Sequence, residues 1–166
     1  MKMRRTLGIL ALLVAPMALA GCESEGTIQV TGALLKGGSP YKAPSGQTLG
    51  ITFYALEVVD TAGKSTGANN QPYAALVNPD AGTFRVPGPE GRGIPRGKYR
   101  VSVIQKLTRE ALETARPPRG LVVVDRDTDL LRDAFGPERS PIVRELTSSC
   151  DLAIDLEHPG EATPQR

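Results

Sequence analysis

Between Gly82 and Leu107 the chain carries its clearest constraint on folding, in the stretches "GTFRVPG" and "GKYRVSVIQKL". Phe84 and Val86 alternate with Thr83 and Arg85, and Tyr99, Val101 and Val103 alternate with Arg100 and Ser102. Successive side chains of a strand point to opposite faces, so a period of two with one apolar phase describes a strand buried on one side only. The turn-forming stretch "PGPEGRGIPRG" between them predicts two antiparallel strands joined by a long loop. Phe84, Val86, Val101 and Val103 would then face inward on neighbouring strands. Arg85, Arg100 and Ser102 would face solvent or the opposite side.

The same signal recurs elsewhere. "TIQVTGALL" alternates around Ile28, Val30 and Gly32, and "KGGSP" follows as a turn. "LGITFYALEVV" puts Ile51 and Phe53 on one face, and "SSCDLAIDLEH" alternates Leu152, Ile154 and Leu156 with Ala153, Asp155 and Glu157. Asp60 to Pro72 reads as a long polar loop rich in Gly and Asn. Helical signals are confined to an insert, Leu107 to Phe135. There "TREALETARPPRG" predicts a short helix stopped by Pro117 and Pro118, and "TDLLRDAF" is compatible with a second. The expected fold class is all-β, an antiparallel sandwich with a short, partly helical insert.

"GTFRV … IPRGKYRVSV" resembles the closing strands of carboxypeptidase-regulatory-like, transthyretin-like sandwich domains, and "VTGALLKGGSPY" followed by "ITF" is similar to their opening strands. The resemblance implies an Ig-like, transthyretin-like sandwich over residues 27–157. With "AFGPERSPIVREL" and "DLAIDL" near its end, the chain also resembles the small lipoproteins of planctomycete bacteria. Those motifs are turns and core residues, so the resemblance implies fold and location and no mechanism.

Location is written at the other end of the chain. Lys2, Arg4 and Arg5 precede an apolar run from Leu7 to Leu19, and the small residues Ala20 and Gly21 follow, the three-part order of an export signal. That run is 13 residues long and contains Pro16, whereas a helix spanning a bilayer needs about 20 apolar residues. Leu19, Ala20 and Gly21 lead straight into Cys22, which resembles the lipobox of bacterial lipoproteins. The resemblance implies that residues 1–21 are removed and that the Cys22 thiol, alkylated by a diacylglycerol, becomes the N-terminus. Two or more acyl chains of the palmitate class, at about 0.8 kcal/mol per buried methylene, would hold the protein without help from the folded domain. Residues 22–26 form the tether, 27–157 the domain and 158–166 a disordered tail. The expected location is extracytoplasmic, on a bacterial membrane.

Lys2, Arg4 and Arg5 also account for three of the 20 basic residues, leaving 17 against 18 acidic ones, a net charge of −1. Near-neutrality without a basic run removes the electrostatic footprint of a nucleic-acid binder. With Cys22 acylated, Cys150 has no intrachain partner and no disulfide framework is available. An inward-packed Cys150 is the simpler reading, and a redox or intermolecular role is its rival.

Reactive constellations are hard to assemble from this chain. The single histidine, His158, stands in the tail "EHPGEATPQR", where no third group would hold it for a nucleophilic triad. The stretch from Gly91 to Tyr99 misses the phosphate-binding loop in both spacing and final residue. Asp125, Asp127 and Asp129 occupy positions one, three and five of a calcium loop, but Leu130 and Gly136 replace its Gly and its bidentate Glu. A solvated loop with a helix cap is the better account, and a nonstandard calcium site is the alternative for these three aspartates. Zinc would need a Cys and His cluster. Nothing in the sequence calls for a cofactor.

The expectation is therefore a non-catalytic, lipid-anchored module for protein interaction or envelope assembly. Its partners would be membrane lipid, through Cys22, and an envelope protein or glycan. The alternative is a carbohydrate-binding module stacking sugars on Tyr41, Tyr54, Tyr73 or Phe135, the aromatic residues outside the expected core.

Overall fold

The structure, a computed structural model, describes residues 26–60, 62–67, 71–114 and 127–160. The expected signal peptide over residues 1–21, with the expected lipobox residues Leu19, Ala20 and Gly21, and also Cys22, Asp125 and the last six residues, lie outside the described part. The strands are β1 (Thr27–Ile28), β2 (Val30–Lys36), β3 (Ser39–Pro40), β4 (Gln47–Val59), β5 (Ser65–Gly67), β6 (Pro72–Ala74), β7 (Leu76–Asn78), β8 (Thr83–Val86), β9 (Ile94–Leu107), β10 (Val143–Leu146) and β11 (Cys150–Asp155). The helix α1 covers Arg109–Thr114, and a 3-10 turn covers Pro89–Gly91. One sheet has the order β1-β9-β4-β5, with β10 also on β9 and β6 also on β4. The other has the order β11-β2-β8-β7, with β3 also on β2. The protein is an all-β sandwich.

The long β4–β9 pair is the backbone of the first sheet, running in register from Gln47↔Leu107 to Val59↔Arg96. Alternation puts Ile51, Phe53 and Ala55 inward. A bulge at Leu56 then adds one residue and Val58 becomes the next buried position. On β9, Tyr99, Val101 and Val103 are fully buried. In the second sheet Val30, Leu34, Phe84, Val86, Leu152 and Ile154 face them. Rings from both sheets meet in the middle. Phe53 lies 6.1 Å from Phe84 and 6.3 Å from Tyr99, which lies 6.1 Å from Tyr73, distances at which tilted and edge-to-face pairs add to burial. Tyr99 also donates its hydroxyl to the Pro95 carbonyl at 2.6 Å, satisfying its polar end.

Gly32 shows why one core position carries no side chain. A Cβ there would stand 2.2 Å from the Leu152 carbonyl oxygen and 2.5 Å from the Phe84 ring. The ring of its cross-strand partner occupies that space. At the end of β2, Gly37 and Gly38 have φ of 57° and 77°, the left-handed pair that a two-residue hairpin into β3 requires.

Three expectations are corrected. The Phe84 and Tyr99 strands do not form a hairpin: β8 pairs with β2 and β7, and β9 with β4, β1 and β10. Their apolar faces are inward as predicted, but across the sandwich. The loop Pro87 to Gly93 carries the chain from one sheet to the other, closed by the Gly93 amide donating to the Pro87 carbonyl at 2.8 Å. Secondly, β11 is parallel to β2, from Cys150↔Val30 to Asp155↔Leu35, while every other pair is antiparallel. The end of β10 pairs with Gly97, near the end where β2 starts, so β11 enters from that same end and runs the same way. Thirdly, the described part of Asp60 to Pro72 is not all loop. Ser65–Gly67 returns along β4 after a turn in which the Asp60 carboxylate accepts the amides of Ala62 and Lys64.

Candidate functional site

The functional residues predicted from sequence do not gather at one place. Of these, Asp127 and Asp129 lie near the end of the sandwich where β9 finishes, Tyr73 lies in the core, and Leu19 to Cys22 and Asp125 are outside the described residues.

One end holds the start of the domain. β1 begins five positions after Cys22 and is clamped to β9 by the pairs Thr27↔Pro95 and Ile28↔Ile94. Ile28 is buried, and the Thr27 hydroxyl donates to the Arg92 carbonyl at 2.8 Å. The same end carries the Pro87 to Gly93 loop, where Glu90 and Arg92 form an exposed ion pair at 2.7 Å. The Asp60 to Lys64 turn is also here, because β4 reaches Val59 opposite Arg96.

The other end is where β9 finishes, at Leu107, and where the insert leaves the sheet. Thr108 caps α1: its hydroxyl accepts the Ala111 amide at 3.2 Å and its carbonyl the Leu112 amide at 3.0 Å. The chain is described again from Asp127 and returns along the second edge of β9. Leu130 donates to the Gln105 carbonyl at 2.7 Å, Val103 to Phe135 at 3.0 Å and Val101 to Ile142 at 2.9 Å, after which β10 pairs with Arg100 to Gly97. That edge is thereby covered against pairing with another chain. Ser140 adds a bond from its hydroxyl to the Val101 carbonyl at 2.5 Å.

Asp129 organises this return. One carboxylate oxygen accepts the amides of Gln105 at 2.9 Å and Leu131 at 3.1 Å, and the other accepts the Asp133 amide at 3.1 Å. These bonds explain why "TDLLRDAF" forms turns and not a second helix. The side chain takes amides that a helix would need, and Arg132 and Asp133 adopt left-handed φ of 56°. Gln105, nearly fully buried, links Tyr41, whose hydroxyl donates to it at 2.7 Å, to Gln47. Sequence reasoning missed Gln105, whose signal is a polar side chain on the inward phase set by Tyr99, Val101 and Val103. The sequence reading of Asp129 in a solvated loop with a helix cap has the capping carboxylate right, but the amides it takes belong to turns and to β9.

Of the three aspartates, Asp127 and Asp129 lie in the described part, and both are engaged by protein groups. Asp127, with its side chain 87% exposed, pairs with Lys106 at 3.3 Å, and both oxygens of Asp129 are committed to backbone amides. Among the described residues no group of three or more His, Cys, Asp or Glu side chains is placed to hold a metal. Of the aromatic candidates for stacking, Tyr73 is buried in the ring cluster, and Tyr41, Tyr54 and Phe135 are half-buried in separate places. A shallow groove of 320 Å3 beside the exposed Leu76 is lined by β7 and β8.

Two titratable groups near the termini of β11 are perturbed. Cys150 is half-buried, and burial, with the neighbouring Asp151 charge, pushes its thiol up, away from the reactive thiolate. Asp155 is held below its ordinary value by backbone amides, first that of Glu157 and then those of Gly38 and Gly37, with His158 adding to the effect. His158 lies 3.9 Å from that carboxylate, and Arg144 donates to the Pro159 carbonyl at 3.2 Å, so the first residues of the expected tail are tied to the domain.

No helix among the described residues is long and apolar enough to cross a membrane. Comparison of the chain with protein-family models, with curated proteins and with solved structures gives no match.

Proposed function

We propose that this chain is a lipid-anchored, non-catalytic module of the bacterial cell envelope, held by acylated Cys22 and docking an extracytoplasmic protein through its insert. The observation that carries the reading is the separation of the two ends. The first strand is locked into the sheet five positions after the Leu-Ala-Gly-Cys junction, and the insert leaves the sheet at the opposite end of β9. The described return of the insert, residues 127–135, is braced by Asp129, and the chain just after it by Ser140 and the β9 edge, in the way a presented surface needs. The non-catalytic part of the reading draws on the engagement of the candidate acids: Asp127, Asp129 and Asp155 each hold structural partners.

The anchor is tested by metabolic labelling with a fatty acid and by detergent-phase partitioning. Wild type should label and partition into detergent. Cys22→Ala should lose the label and accumulate as uncleaved or mislocalised precursor; unchanged partitioning of that variant contradicts the anchor. Docking is tested with a photocrosslinking residue at Asp127, compared with one at Arg92, in membranes carrying the lipidated protein. A discrete protein adduct from position 127 and none from 92 supports docking through the insert. Adducts from 92 alone, or glycan binding by the soluble domain on an array, would overturn it.

A further inference from the structure

The end of the sandwich that holds β1 also fixes which way the domain stands. We infer that the Pro87 to Gly93 loop and the turn after Asp60 rest against the lipid headgroups of the anchoring bilayer, with the Leu107 end of β9 held away from it. This rests on the reading of Cys22 as the lipid anchor.

The argument is one of reach. Five steps of chain separate Cys22 from Thr27, and whatever path they take they span at most about 18 Å. Thr27 cannot swing away from the domain, because it pairs with Pro95 and its hydroxyl is bonded to the Arg92 carbonyl. The Pro87 to Gly93 loop is therefore bound to the first residue beyond the tether. From Ile94 to Leu107, by contrast, β9 runs thirteen strand steps, about 43 Å at ~3.3 Å each. The tether cannot bring the Leu107 end to the headgroups unless the domain lies on its side.

Charge argues against lying on a side. The outward positions of the first sheet carry Lys98 between Glu57 and Glu145, and those of the second carry Arg85 and Asp151 around Thr31. Laying either face on lipid would desolvate these groups. The tether end offers one compensated ion pair, Glu90 with Arg92, and one acid and one base, Asp60 and Lys64, at the turn. With Arg96 opposite Val59 at the same end, charges of both signs stand in near balance, which suits a zwitterionic headgroup layer and gives little net attraction of its own. Contact is imposed by the anchor and is absent from the free domain.

The test uses the full chain, expressed and lipidated, with Cys150→Ser in every variant and one new cysteine at a time: Arg92→Cys at the tether end, Arg85→Cys on a sheet face, and Asp127→Cys and Lys36→Cys at the far end. Modification by a bulky polyethylene-glycol maleimide is timed in native membranes and again in detergent. Arg92→Cys should react severalfold more slowly in membranes than in detergent, and the other three at equal rates in both. Protection of Arg85→Cys or Asp127→Cys, or full reactivity of Arg92→Cys in membranes, overturns the orientation. Failure of the anchor is read separately, because an unlipidated chain would leave the detergent phase and expose the Cys22 thiol itself to the reagent.

Discussion

Phe84 and Asp129 each stand at the centre of a region of this molecule, and the two regions are held by different forces. Around Phe84, rings and branched side chains from both sheets bury apolar surface that no water reaches. Around Asp129, the 127–142 segment is laid along β9 by backbone bonds and by one carboxylate with three amide donors, while Ile142 at its end joins the buried core and Leu131 and Phe135 pack against it. Apolar burial is non-directional and spreads its stabilisation over many neighbours. A carboxylate holding a segment through a few directed bonds concentrates it in one residue. The interior should therefore fail as a whole, and the return segment should be able to loosen alone.

The largest effect expected comes from the interior. Phe84→Ala removes a ring that is 4% exposed and contacts both Phe53 and the space over Gly32, and should cost about 3–5 kcal/mol, a large part of a typical domain's stability. Denaturant unfolding should show a lower midpoint with one cooperative transition. Two transitions would break the contrast between a cooperative interior and a separable segment.

Asp129→Ala comes next, and strips three backbone amides of their shared acceptor. It should cost about 1–3 kcal/mol. Cleavage by a nonspecific protease should appear within 127–142 while the β4–β9 core stays intact. Cleavage distributed over the chain would show that the segment is part of the core.

The third sharpens the picture at the far end, where Asp155 ties the Gly37–Gly38 turn to β11. Its folded-state pKa lies below the ordinary 3.8, so its contribution is present in full above that value and drains away as pH falls through the lower folded value. Asp155→Asn should therefore lose stability relative to wild type at neutral pH, and the gap should close in acid. A gap unchanged between about pH 6 and about pH 2 would exclude this carboxylate as the source. The smallest effect belongs to Arg85→Ala, on the exposed face beside Phe84, within about 0.5 kcal/mol of wild type. If it proves more damaging than Phe84→Ala, the assigned strand faces are wrong.

The same division explains how much of the molecule is legible in its sequence. Strand faces are written in a period of two, so Phe84, Val86, Tyr99, Val101 and Val103 are read inward without a structure, and they are buried. Alternation names a face but not a partner, so placing β8 and β9 in one hairpin was an error the pattern could not prevent. The parallel entry of β11 is likewise set by where β10 ends. Ser102 lies on the outward phase yet is 1% exposed, because burial there depends on segments far away in sequence. At the candidate site, the Cys22 junction is an expectation from residue types outside the described part, whereas the Asp129 bracket is legible only as a spacing, open to both a calcium loop and a solvated loop with a helix cap. The carboxylate's bonds to three amides come from residues that spacing alone does not bring together.

The most direct measurement is amide hydrogen exchange of wild type and Asp129→Ala under the same native conditions. The account predicts that amides of residues 129–136, and those of Val101 and Val103 that donate to Ile142 and Phe135, exchange faster in the variant. Amides of β4 that pair with β9 should keep wild-type protection. Uniform loss of protection across β4 and the 127–142 segment would contradict the claim that directed bonds to one carboxylate fix residues 129–136 separately from the buried interior.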